Sequence, residues 1–120
     1  MHSKFVRAVC VVFAGLLPVV IASAHAILSK STPAANEIVT GPDVPVVLTF
    51  NSRVDQARST LTLEKADHST SKVEVVLDPT SPAKLAARLS NMRPGTYELR
   101  WQVLAVDGHI TRGAIPFQVK

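Results

Sequence analysis

Polar and apolar residues alternate with period two over the last quarter of the chain. Between Gly95 and Lys120, Tyr97, Leu99, Trp101 and Val103 alternate with Glu98, Arg100 and Gln102, and Ile115, Phe117 and Val119 repeat the period after a polar interval. Side chains two apart on a strand share a face, so both runs predict long strands with one buried face. Upstream, Ala26–Lys30 predicts a short strand and Pro45–Phe50 a firmer one. Leu61 and Leu63 mark a strand over Ser59–Lys65, and Val73, Val75 and Leu77 mark one over Lys72–Leu77. Lys84–Leu89 reads two ways: it is Ala-rich enough for a helical turn, yet Leu85, Ala87 and Leu89 fit period two. Proline, glycine and small polar residues break the chain at 31–36, 40–45, 51–53, 67–71, 78–82 and 91–95. About seven short strands with regular turns predict an all-β, antiparallel, immunoglobulin-like β-sandwich. No capped helix, internal repeat or low-complexity tract interrupts the pattern.

The N-terminus follows a different logic. Lys4 and Arg7 precede an apolar run, Val9–Ile21, broken only by Gly15 and Pro18, and Ala22-Ser23-Ala24 forms an A-x-A cleavage site. These features predict a secretory signal over residues 1–24, leaving one domain at 25–120. A retained anchor is the weaker reading, since comfortable spanning takes roughly 20 apolar residues. Cys10 lies near the start of the apolar run, not at its exit, so it leaves with the signal instead of carrying a lipid.

Residues 25–120 carry eleven basic and nine acidic residues without a Lys/Arg cluster, which argues against nucleic acid as a partner. They hold no cysteine, so neither disulfides nor thiolate ligands are available, and any metal must accept nitrogen and oxygen donors. No segment beyond residue 24 is apolar enough to span a membrane. The expectation is a soluble monomer outside the cytoplasm.

Candidate chemistry gathers at Asp107-Gly108-His109. A turn between strands needs glycine or a small polar residue; it does not need an Asp and a His two positions apart. On an extended backbone their side chains would point to one side and could reach one atom, half of a metal site. Taken singly, Asp107 would be a turn former making an Asx-type hydrogen bond, and His109 a surface histidine. Cleavage after Ala24 supplies the other half, because His25 would then offer two chelating nitrogens, its α-amine and ring Nδ1. The bland alternative is that a secreted chain must begin with some residue. His25, Asp107 and His109 together make an N,N,O,N donor set suited to tetragonal Cu(II). His68, among Asp67, Ser69 and Thr70, reads as a solvated turn histidine, and Trp101 and Tyr97 as core. Arg112 closely follows His109 and would lie beside the metal.

Three stretches carry a family resemblance. They are H-A-x-L-x-x-S-x-P-A from His25, L-T-F at Leu48–Phe50, and G-T-Y-x-L-R-W-x-V-x-A-x-D-G-H-x-x-x-G-x-x-x-F-x-V from Gly95. In these the chain resembles the CopC family of periplasmic copper-binding proteins over essentially all of residues 25–120. The resemblance implies a cupredoxin-like or immunoglobulin-like Greek-key β-barrel in the periplasm. It implies one Cu(II) per chain, held by His25, Asp107 and His109, for copper sequestration, carriage or resistance, with no enzymatic activity. It also implies, by analogy, an inner-membrane copper transporter (CopD-like) as partner. Two features depart from the family. Phe50-Asn51-Ser52-Arg53 lacks the carboxylate some members carry there, and Met92 alone cannot build a methionine-rich Cu(I) loop. Two rival functions stand beside this one. The first is a metal-free immunoglobulin-like interaction module. The second is a small histidine-brace copper oxidase or monooxygenase, as in lytic polysaccharide monooxygenases, disfavoured by the missing flat aromatic surface and by Asp107 as a ligand.

Overall fold

The computed structural model describes residues 25–120; the signal expected over 1–24 lies outside the described residues. The described chain is all-β, with eight strands in chain order: β1 Leu28–Thr32, β2 Glu37–Val39, β3 Val44–Phe50, β4 Thr60–Lys65, β5 Thr70–Val73, β6 Lys84–Leu89, β7 Gly95–Leu104 and β8 Ile110–Val119. They form a three-stranded sheet, β1-β3-β6, and a five-stranded sheet, β2-β8-β7-β4-β5.

The period-two signal works because one face of each long strand meets the opposing sheet. Leu99, Trp101 and Val103 of β7 are buried, as are Ile115, Phe117 and Val119 of β8. Val44, Val46, Leu48 and Phe50 of β3 face them with Leu85, Ala87 and Leu89 of β6. Burying a leucine side chain fully contributes about 1.5–3 kcal/mol, and Leu48, Leu61, Leu85 and Leu99 are all at 0 % exposure. At β6 this burial resolves the two readings in favour of a strand. The sheets also touch through aromatic rings, with Phe50 edge-on to Trp101 at 5.3 Å between centroids.

Three expectations change. β1 begins two residues later than Ala26, because Ala26 itself is buried in the core ahead of the ladder. β2 is an unanticipated eighth strand; it pairs with β8 in parallel, whereas every other pairing of named strands is antiparallel. The strand expected over Lys72–Leu77 is displaced to Thr70–Val73. Beyond Val73 the chain leaves β4 and crosses toward the other sheet, where Val76 bridges Ala86 of β6, leaving Leu77 exposed. A short 3-10 turn at Gln56–Arg58, capped by the Asp55 carboxylate, joins β3 to β4. No helix of the described residues is long and apolar enough to cross a membrane.

Candidate metal centre

β7 and β8 pair over ten positions from Gly95↔Val119 to Leu104↔Ile110, and the connection beyond that last pair carries Asp107 and His109. The connection is closed by two backbone hydrogen bonds, Gly108 N to Ala105 O at 2.9 Å and Ala105 N to His109 O at 2.8 Å. Gly108 sits at φ +89°, a left-handed conformation that favours glycine. The backbone is therefore folded here, not extended, and strand alternation is not what unites Asp107 with His109. The turn does so: Asp107 Oδ1 accepts from the His109 amide at 3.0 Å, and Oδ2 lies 2.7 Å from His109 Nδ1. The Asx-type bond and the Asp–His pairing coexist.

Those contacts hold the Asp107 carboxyl below the usual carboxylate range. The amide of His109 is the largest cause, followed by its ring, with smaller Coulombic help from His109 and His25. The turn thus keeps a carboxylate charged at the mouth of the site. Each oxygen spends one lone pair on His109 and retains another for a cation.

His25 arrives from the other end of the chain. The Ala26 methyl is buried in the core at 1 % exposure, which sets how the N-terminal segment lies. Thr111 Oγ1 donates to Ala26 O at 2.9 Å, the Ile27 amide donates to Asn51 Oδ1 at 2.8 Å, and the Asn51 amide donates back to Ile27 O at 2.9 Å. Held this way, the His25 ring meets His109 edge to face, with centroids 4.6 Å apart. All three residues singled out in the sequence therefore gather at one end of the sandwich. Among the described residues, no three His, Cys, Asp or Glu side chains yet form a closed ligand group. Both Asp107 oxygens are engaged with His109, one with its amide and one with its ring. The donors themselves, imidazole and carboxylate, fit a cation that accepts nitrogen and oxygen.

The other candidates lie elsewhere. His68 is in the β4–β5 connection, near the end of β4 where Lys65 pairs with Tyr97. Leu104 lies seven steps along β7 from Tyr97, roughly 23 Å at about 3.3 Å per step. His68 instead contacts Glu64, which Arg100 also approaches at 2.7 Å. Arg112 points away from the site, donating to Gln102 at 2.7 Å beside Arg100 in an outer-face cleft of about 440 Å³. Trp101 is a core residue, and Tyr97, half-buried, packs against the core stacked on Phe117. Asn51 and Thr111 were missed, since nothing local distinguishes a turn Asn or a strand Thr that binds a segment far away in sequence.

Residues 28–120 match the CopC domain family. Protein YobA of Escherichia coli K12 is 32 % identical over 106 residues, covering 81 % of this chain and 80 % of YobA. Among solved structures, CopC from Methylosinus trichosporium OB3b superposes with a TM-score of 0.73 at 26 % identity, covering 80 % of this chain and 94 % of that one. PcoC, a methionine-rich copper resistance protein from Escherichia coli, gives 0.66 at 25 %, covering 80 % and 99 %.

Proposed function

The chain belongs to the CopC family, and from that premise we propose that it is a periplasmic protein binding one Cu(II) through His25, Asp107 and His109. Its function is copper-related, in keeping with the copper resistance protein among its structural relatives. The observation that carries the finer reading is the 4.6 Å approach of the His25 and His109 rings, with Asp107 on the second of them. Removal of residues 1–24 would free the α-amine of His25, which with its ring forms a chelate. With Nδ1–H directed at Asp107, His109 keeps the Nε2 lone pair for the metal, and Asp107 adds an oxygen and a negative charge.

Proton competition follows from this donor set. An α-amine has an unperturbed pKa of about 7.7–8.0, so affinity falls as pH drops and the amine holds its proton more firmly. Met92 is buried at 8 % exposure within the core, which supports a site of nitrogen and oxygen donors without thioether. The large apolar side chains exposed among the described residues are aliphatic, which favours a binding protein over a polysaccharide oxidase. As a carrier it would act as a monomer and exchange copper with an inner-membrane transporter.

The test is Cu(II) titration of a protein beginning at His25, followed by electron paramagnetic resonance. One-to-one binding with a tetragonal, nitrogen-rich spectrum is expected. A protein with one extra residue ahead of His25, and His109→Ala, should both lose it. Weak binding indifferent to the extension would discard the N-terminal site and leave the metal-free interaction module.

A further inference from the structure

We propose that Asn51 and Thr111 are positioning residues for the N-terminal histidine, converting a loose terminal chelate into a fixed half of the metal site; the purpose, though not the geometry, rests on the copper reading above. His25 precedes β1, so no sheet ladder orients it. A terminal segment without such ties is usually poorly ordered. Here the two residues after His25 are tied to two different elements. Asn51, just past β3, brackets Ile27 with its side-chain oxygen on the amide and its own amide on the carbonyl. Thr111, two residues past His109 on β8, holds the carbonyl of Ala26. The Ala26 methyl, buried between these attachments, blocks rotation of the segment about its axis.

The consequence for binding is entropic. A free terminal histidine must be brought to the Asp107–His109 turn when copper binds, and ordering it then subtracts from affinity. With the clamp in place the ordering is done during folding, and the ring already lies against His109. Thr111 couples the two halves most directly, because the strand that presents His109 also grips the residue following His25. Loss of a supporting contact of this kind typically lowers metal affinity about 10–100-fold.

The variants are Asn51→Ala and Thr111→Val in protein beginning at His25. Asn51 is exposed, and valine conserves the shape and strand preference of threonine, so the core is untouched. In metal-free protein, hydrogen exchange at the Ile27 amide should quicken at least tenfold in Asn51→Ala, and the His25–His109 ring contact seen by NMR should vanish in both variants. Core amides should keep wild-type exchange. Cu(II) affinity, measured against a competing chelator, should fall about 10–100-fold, while Asn51→Asp, which keeps the acceptor oxygen, should restore both the Ile27 protection and the affinity. Unchanged exchange and ring contact would overturn the clamp. A lost ring contact with copper affinity within twofold of wild type would overturn its purpose. Failure of the unsubstituted protein to bind copper would instead defeat the functional reading, and the metal-free measurements tell that case apart.

Discussion

Asp78 accepts hydrogen bonds from both the hydroxyl and the amide of Thr80, at 2.6 and 3.0 Å. Those two contacts, the hydroxyl first, hold its carboxyl below the ordinary value of 3.8. Asp67 does the same with the hydroxyl and amide of Ser69. A group whose pKa is lowered by folding is more easily protonated in the unfolded chain. Its stabilisation is complete above the unfolded pKa and disappears as pH falls through the lower folded value. Stability should therefore decline below about pH 4. Asp78→Asn, which keeps the acceptor oxygen but cannot titrate, should flatten that decline in urea melts taken between roughly pH 4 and pH 2. An acid limb of unaltered slope would rule out this role for Asp78.

Within the β7–β8 ladder, Trp101 lies directly opposite Gly113, and the indole occupies the space a side chain there would fill. A Cβ built on Gly113 would come within 2.3 Å of Trp101 Cζ2, so the glycine serves close packing of a ring. Gly113→Ala must push Trp101 off Phe50, its edge-on partner in the other sheet. Overpacking of this kind costs about 1–3 kcal/mol. The expected signature is a lowered melting temperature with a red-shifted tryptophan emission, since Trp101 is the chain's one tryptophan. Unchanged emission and melting would show that the ring has room to slide. The opposite case is the segment after β5, whose crossing between sheets outweighs the alternation of Val73, Val75 and Leu77.

The two sheets share one core, with no disulfide available to residues 25–120, since the lone cysteine is Cys10. Leu48 contributes to that core from the small sheet and Leu99 from the large one, both fully buried. Cavity formation at either site should cost about 2–5 kcal/mol in Leu48→Ala and Leu99→Ala. A single core also predicts that both variants lower one common transition, with far-ultraviolet circular dichroism and tryptophan fluorescence coinciding in denaturant. Separate transitions for the two probes would mean that the sheets unfold independently.

Local pattern was sufficient for β3, β4, β7 and β8, because each long strand lays one face on a common core and writes that burial into alternate residues. It also carried the family, whose motifs are contiguous, and it put Asp107 beside His109, though a folded turn joins them and not the extended backbone expected. Its limits have physical causes. β2 is three residues long and takes its order from β8, some eighty residues on, so no local period marks it. Lys72–Leu77 has the period but not the path, because connectivity carries it to the other sheet. Folding alone brings the ring of His25 against His109, and tertiary hydrogen bonds from Asn51 and Thr111 hold the residues after it, 24 and 85 positions away in sequence. Contacts at that separation are chosen by how the sheets pack, and packing leaves no periodic trace at either end.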